Sequence, residues 1–302
     1  MALAPVTVAV SLVLALGGAA RPEVVLPLLG VVSIALSALI ALERHSMRWL
    51  GPAILVLFLV VMSAWPETAG FAAIGPGLYG GGRFYGVDNL VETVLLAVTL
   101  VAGAELGLLA LAPLAVLALL TVGWSHTGAD GGGLIVFAVA FAVLALRLAG
   151  PVTLRRIALV TAGCVALVLA FVGADEASGG SNHVTRAFEK GPGGWFGEIG
   201  HRLHTSADRL TSPHAAVIVA VSLAALVWLA FRTPRYAALD ALLVGVAVSL
   251  IVNDSPTDVA AAGAISGFVL WSWARTARYT RARAPAVDRP RGNRAARGRL
   301  RR

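Results

Sequence analysis

The chain has 302 residues, of which 58% are hydrophobic and only 13% are charged, and its mean hydropathy is +0.83. Soluble domains carry about 25% charged residues, so this composition excludes an ordinary soluble protein and indicates an integral membrane protein. The formal net charge of +8 comes from arginines concentrated in a few connections and in the tail, so it is a topology signal and does not indicate nucleic-acid binding. Cys164 is the only cysteine, which excludes an internal disulfide.

Ten apolar stretches follow one another along the chain, each close to the roughly 20 residues that cross a bilayer. They are residues 3–20, 24–42, 49–65, 89–104, 107–124, 134–149, 157–174, 214–231, 236–252 and 257–274. Residues 1–20 lack a positively charged start, so we interpret them as a retained first helix and not as a cleaved signal peptide. Residues 89–124 are too long for one helix, and the segment 103–107 is predicted to divide them into a helical hairpin. The sequence therefore predicts an all-α polytopic membrane bundle of about ten transmembrane helices.

Arginine-rich connections occur at every second position along this series, at residues 44–48, 147–156 and 232–235 and in the tail after residue 274. The positive-inside rule places these segments, and with them both termini, in the cytoplasm. The abundance of Arg, Ala and Gly is typical of a GC-rich bacterial genome, so the predicted location is the bacterial plasma membrane. The polar motifs all fall in the other connections and are expected to face outward.

The chain divides into a transmembrane domain, residues 1–274, and a tail, residues 275–302. The tail has no apolar run and is predicted to be disordered, with its arginines attracting anionic inner-leaflet lipids. The loop 175–213 is the only long extramembrane segment. Within it, residues of about 195–210 place Trp195, Phe196, Ile199 and Leu203 on one helical face, which predicts an amphipathic helix lying in the outer interface.

The first polar motif, GGGRFYG at 80–86, precedes the fourth span. Its glycines allow a ligand to approach the backbone closely, and Arg83 could hold a phosphate or carboxylate with its planar guanidinium. Asp88 or Asn89 could cap the next helix, whose N-terminus also favours an anion. Glu92 lies one turn into that span and could face the same cavity. An ordinary glycine-rich loop explains the motif equally simply.

Two further motifs interrupt apolar regions. SHTGADGGG at 125–133 places Asp130 at the membrane boundary, where a carboxylate is costly unless it is paired or hydrated, and His126 could join it in a proton relay. NDSPTD at 253–258 contains Pro256, which cannot continue a helix, so its polar residues could line a cavity at a broken segment. The simpler alternatives are a tight turn with Asp130 as a helix N-cap and a plain hairpin turn.

These motifs resemble those of a family of uncharacterised, mainly actinobacterial polytopic membrane proteins. The resemblance rests on G-R-F-Y-G with Asn89, on G-A-D-x-G around Asp130, on His183 with Arg186, and on N-D-S at 253–255. It covers residues of about 80–270. Some members of the family carry an alkaline-phosphatase-like extracellular domain, and members tend to have Gly where this chain has Asp88. The resemblance implies one shared outward-facing site.

The favoured hypothesis is a cell-envelope protein whose outward-facing polar cavity handles an anionic lipid-linked substrate of the polyprenyl-phosphate type, as a transferase, ligase or translocator. Arg83 and the His183/Arg186 pair would hold the phosphate, while Asp130 or Asp254 would act as general base or would bind a divalent cation, the one cofactor considered. The candidate site residues are Asp130, Asp254 and His183 for catalysis, and Arg83, Tyr85, Asn89, His126, Arg186, Asn253 and Ser255 for substrate binding.

Two alternatives remain open at this stage. An ion-coupled secondary transporter of a small solute would use Asp130 and Asp254 as coupling-ion residues in broken segments. A non-catalytic membrane partner of an envelope complex would need the motifs only as a protein-binding surface. The sequence does not decide whether the protein is an enzyme, and the partners it indicates are the lipid bilayer and an anionic lipid, with no nucleic acid.

Overall fold

The computed structural model describes residues 1–18, 21–43, 46–75, 86–180, 191–233 and 235–283. All regular secondary structure in these residues is helical. The helices are α1 (Leu3–Leu16), α2 (Pro22–Leu42), α3 (Ser46–Ala64), α4 (Thr68–Phe71), α5 (Asn89–Leu106), α6 (Leu108–Val122), α7 (Gly131–Leu148), α8 (Leu154–Ala177), α9 (Gly191–Arg209), α10 (Pro213–Ala230), α11 (Ala237–Val252) and α12 (Pro256–Arg283). Each predicted apolar stretch coincides with one of these helices to within a few residues at its start.

Within the described residues, six helices are long and apolar enough to cross a membrane, namely α2, α3, α5, α7, α8 and α10. Three more, α1, α6 and α11, are apolar but shorter. This architecture is that of a helical membrane protein, while the count of ten spans and the side on which the termini lie stay predictions.

The helix ends differ from the sequence prediction at three places. The helix α8 continues to Ala177, past the predicted start of the long loop at residue 175, and α9 begins at Gly191 and not near residue 195. The helix α12 continues to Arg283, so the first part of the tail, predicted to be disordered, is helical. Residues 275–283 are mainly Arg, Ala and Thr, and adding residues to an existing helix is much easier than nucleating a new one. Residues 284–302 lie outside the described residues.

The helix α5 lies at the centre of the bundle and packs against α3, α7, α11 and α12. Its apolar stretch is 72% buried inside the bundle, whereas that of α8 is only 11% buried and lies at the periphery. Small residues allow the close helix contacts: a Cβ on Gly51 of α3 would lie 3.0 Å from the Ala102 side chain of α5. The break between α5 and α6 falls at Gly107, whose positive φ of 86° favours glycine.

The inner helices bring two polar groups of residues to opposite ends of the bundle. At one end Asp240, at the start of α11, forms ion pairs with Arg147 at the end of α7 and with Arg235. At the other end α5, α7 and α12 begin and α11 ends. The carboxyl and amide side chains discussed below lie at this second end.

Candidate functional site

Four helix ends carry a cluster of polar side chains, which we call the helix-end cluster: Asp88, Glu92, Asp130, Asn253 and Asp254. Asp88 and Asp130 are the N-caps of α5 and α7, with their side chains accepting hydrogen bonds from the backbone N–H groups of Val91 (2.7 Å) and Gly132 (3.0 Å). Asn253 follows the last residue of α11, and Asp254 lies between α11 and α12. The N-terminal ends of three helices favour negative charge here.

Asn253 joins three helices at the centre of this cluster. Its side-chain amide donates to Glu92 Oε2 of α5 and to Ser249 Oγ of α11, both at 2.8 Å. A Cβ on Gly132 of α7 would lie only 1.9 Å from Asn253 Oδ1, so the amide packs directly on the backbone of α7. Asn253 is 3% exposed and Glu92 is fully buried. The position after α11 therefore favours a side chain that can donate two hydrogen bonds and fits against the Gly132 backbone.

Glu92 and Asp130 bring two carboxyl groups together inside the protein. The Asp130 side chain lies within hydrogen-bonding reach of the Glu92 carboxyl, and both residues are buried. An ionisable side chain in the interior of a membrane protein is costly, which makes the pair a candidate functional site. Glu92 is absent from the site residues chosen from the sequence, and its place among them is the main addition that the structure makes.

Close backbone packing explains the glycines of the GADGGG motif. A Cβ on Gly128 would lie 2.1 Å from the carbonyl oxygen of Val122, and a Cβ on Gly86 would lie 2.2 Å from the carbonyl oxygen of Gly128. The Val87 N–H donates to this same Gly128 oxygen at 3.0 Å, which fastens the start of α5 to the turn before α7. Ala129 has a positive φ of 51°, which is uncommon without glycine. The motif thus holds Asp130 in place through a tightly packed turn.

The helix α9 lies over the turn between α11 and α12. The Arg202 guanidinium donates to the carbonyl oxygen of Val252 at 3.0 Å, and Ser206 Oγ donates to that of Asn253 at 3.4 Å, so α9 satisfies carbonyl groups that the end of α11 leaves free. Arg209 donates to Ser255 Oγ at 2.6 Å and forms an ion pair with Asp254 at 3.3 Å. These three side chains of α9 lie on one face.

The rim of the cluster is more accessible than its centre. The side chains of Arg209 and Asp254 are 46% and 42% exposed, and the Asn89 amide donates to Asp254 at 3.4 Å. Deeper in the protein, burial raises the pKa of the Asp88 carboxyl above its usual value, although the hydrogen bond from Val91 opposes this shift. The site therefore grades from a solvated ion pair at the rim to carboxyl groups that are held away from water.

The structure brings together five of the residues selected from the sequence and separates one. Asn89, Asp130, Asn253, Asp254 and Ser255 belong to or contact the helix-end cluster. His126 is exposed on the turn after α6 and makes no hydrogen bond or ion pair within the described part of the chain, so it gives no support to a relay with Asp130. The remaining four, Arg83, Tyr85, His183 and Arg186, lie outside the described residues.

The structure adds Arg202, Ser206 and Arg209 to the site, besides Glu92. From the sequence, Arg202 and Arg209 belong to a group of basic side chains near the predicted interfacial helix that would suit an anionic headgroup, but the sequence does not indicate which turn they contact. In the described ranges no group of three or more His, Cys, Asp or Glu side chains is arranged to hold a metal ion, so the structure adds no support for a divalent cation. No protein-family model, curated protein or solved structure matches this chain.

Proposed function

We propose that the protein crosses the bacterial plasma membrane ten times, with both termini in the cytoplasm and the helix-end cluster at the outer face. The separation of the two ends of the bundle supports this orientation. Arg147 and Arg235 share one end, where positive-inside charges belong, whereas the carboxyl-rich cluster occupies the other.

We further propose that the cluster handles an anionic lipid-linked substrate of the polyprenyl-phosphate type, as a transferase, ligase or translocator in the cell envelope. The observation that carries this proposal is the way α9 lies against the bundle. Its polar side chains Arg202, Ser206 and Arg209 face the bundle, while Leu203 is 46% exposed. The exposed side of α9 also carries the His204–Asp208 pair, whose side chains are 78% and 68% exposed, so it combines an apolar residue with polar groups. A helix with such a mixed exposed side suits a membrane interface, where a lipid substrate would enter.

Arg209 is the residue that we expect to bind the phosphate. It lies beside Ser255 and the first turn of α12, and a helix N-terminus favours an anion. Asp254 now neutralises Arg209 as an internal anion, at a rim that solvent reaches. A substrate phosphate would replace Asp254 as the partner of Arg209, and the released carboxylate would then lie next to the substrate, where it could act as a general base.

Native mass spectrometry of the gently purified protein tests this proposal. A co-purifying polyprenyl-phosphate or glycolipid should be retained by the wild-type protein and lost on Arg209→Gln. Arg156→Gln is the control, because Arg156 lies far from the helix-end cluster at the start of α8, where its half-buried guanidinium donates to the Pro151 carbonyl oxygen. Bulk phospholipid alone, identical in both variants, would refute the lipid-linked substrate.

The ion-coupled transporter remains the second candidate because the Glu92–Asp130 pair is buried within the helix bundle. Such a protein must expose its site to each side of the membrane in turn. The two functions differ in one observable: a transporter moves a solute across proteoliposomes with a dependence on an ion gradient, whereas a lipid-handling enzyme or translocator does not require that gradient. Solute uptake that collapses when the gradient is dissipated would favour the transporter.

A further inference from the structure

The buried pair of Glu92 and Asp130 has two carboxyl oxygens whose hydrogen-bonding needs are not met. Glu92 Oε2 accepts from Asn253, and Asp130 Oδ1 accepts from the Gly132 N–H. Glu92 Oε1 and Asp130 Oδ2 are buried and have no partner among the described residues. Glu92 is fully buried and Asp130 is 5% exposed. Two carboxyl groups that lie within hydrogen-bonding reach of one another and each hold a buried oxygen without a partner are unfavourable unless a positive group compensates them.

Two ionised carboxylates in this position would repel one another strongly, because the interior screens their charges poorly. A hydrogen bond between two carboxyl groups also requires a proton on one of them, since ionised carboxylates only accept. One proton between Glu92 and Asp130 removes both difficulties. It reduces the charge of the pair to a single negative charge and satisfies the two remaining oxygens.

Among the residues that the structure describes, the charged groups around the pair do not provide this compensation. Asp88 at the start of α5 adds negative charge, and Asp258 of α12 acts on Asp88 in the same sense. Both arginines of this face of α9 have other partners: Arg202 donates to the Val252 carbonyl oxygen, and Arg209 donates to Ser255 and pairs with Asp254. His126 on the turn between α6 and α7 points to solvent.

A proton suits the pair better than a metal ion does. Within the described ranges no third His, Cys, Asp or Glu joins Glu92 and Asp130 in an arrangement that could hold a metal. The Val122 side chain closes the space beside them, since a Cβ on Gly133 would lie 2.6 Å from Val122 and 3.0 Å from Asp130 Oδ2. Two free oxygens in such a restricted space are sufficient for one shared proton, whereas a metal cation requires more oxygen ligands.

We propose that Glu92 and Asp130 form a proton-binding site that carries one shared proton at neutral pH, with Asn253 holding Glu92 in position. The proton is taken from water and released to water, so no other reactant is required. Loss of the proton leaves two adjacent anions that must separate. Because Glu92 is bonded to Asn253, that separation would act on the turn between α11 and α12, where Arg209 and Ser255 meet. This inference does not depend on the identity of the substrate.

Infrared spectroscopy of the full-length protein in lipid nanodiscs tests the proposal, because a protonated carboxyl group has a carbonyl stretching band that an ionised carboxylate lacks. The wild-type protein should show this band at neutral pH. Glu92→Gln and Asp130→Asn should each abolish it, because one proton belongs to the pair. Both replacements are conservative: Gln accepts from Asn253 and donates to Asp130, and Asn is as good an N-cap as Asp.

Asp254→Asn is the matched control, because Asp254 lies at the rim and is 42% exposed. It should leave the band unchanged. Absence of the band in the wild-type protein, its persistence in both Glu92→Gln and Asp130→Asn, or its loss in Asp254→Asn would each overturn the proposal. If one variant of the pair does not fold, the other is sufficient, because either replacement should remove the same proton. The outcome does not depend on the lipid content found by mass spectrometry.

Discussion

Gly132→Ala should destabilise the protein by forcing Asn253 away from the centre of the helix-end cluster. The new Cβ would lie 1.9 Å from Asn253 Oδ1, whereas ordinary van der Waals contacts are 3.4–4 Å. Asn253 must therefore move by about 1.5 Å, and its 2.8 Å hydrogen bond to Glu92 cannot survive such a shift. Overpacking costs about 1–3 kcal/mol and an unpaired buried polar group a similar amount, while Ala in a helix returns roughly 0.5–1 kcal/mol. The expected net loss is about 1–5 kcal/mol.

Denaturant-induced unfolding of the purified protein in detergent micelles measures this loss. Gly163→Ala and Gly173→Ala in α8 are the matched controls, because a Cβ at either position would have no neighbour within 4 Å. They should leave the free energy of unfolding unchanged or slightly raised. The double variant Gly132→Ala/Asn253→Ala should lose less free energy of unfolding than the sum of the two single variants. The reason is that Asn253→Ala removes the side chain with which the new Cβ would clash. Equal stability of Gly132→Ala and Gly163→Ala would refute the contact between Asn253 and α7.

Two further predictions concern charge. Burial raises the pKa of the Asp88 carboxyl, so Asp88 stays protonated to a higher pH in the folded protein than in the unfolded protein. The free energy of unfolding therefore falls as the pH rises from the ordinary pKa of Asp towards the raised pKa of Asp88. Asp88→Asn, which still caps α5, should give a shallower fall in unfolding temperature with pH, and identical slopes would contradict this. At the opposite end, the Asp240 side chain is 10% exposed and pairs with Arg147 and Arg235. Replacing both arginines with Gln should lower the free energy of unfolding by roughly 3 kcal/mol, because it leaves the buried Asp240 charge without a partner. Asp240→Asn should lower it by only about 1 kcal/mol, because it removes the buried charge itself. A larger loss for Asp240→Asn than for the double arginine variant would refute this account.

The apolar runs of the sequence are sufficient to locate most helices. In a bilayer every backbone N–H and C=O group needs a hydrogen-bond partner, and a helix provides these partners within its own segment. The break before α6 was also predicted from the Gly103–Gly107 segment, and Gly107 indeed has a conformation that favours glycine. The end of α12 was placed too early, since composition alone does not show how far an established helix continues into Arg-rich sequence.

The site was predicted less completely, because its central contacts join residues that are far apart in the chain. Asn253 and Glu92 are separated by 161 positions, so their hydrogen bond depends on the packing of α5, α7 and α11, which no local pattern encodes. Asp130 and the segment 253–255 can be selected from the sequence, because each places polar residues at a break between two apolar runs. His126 had the same local signal, yet it is exposed, since the turn at Gly128 and Ala129 separates it from Asp130.

Cysteine labelling of intact cells tests whether the helix-end cluster faces outward from a membrane-embedded bundle, as we propose. In a Cys164→Ala background, Ser255→Cys should react with an impermeant thiol reagent, whereas Thr233→Cys should react only after the membrane is permeabilised. Residue 255 adjoins the cluster and residue 233 adjoins the arginine-bearing end, so the two positions report on opposite sides of one bundle. Labelling of Thr233→Cys but not of Ser255→Cys on intact cells would contradict the proposed orientation and, with it, the outward-facing site.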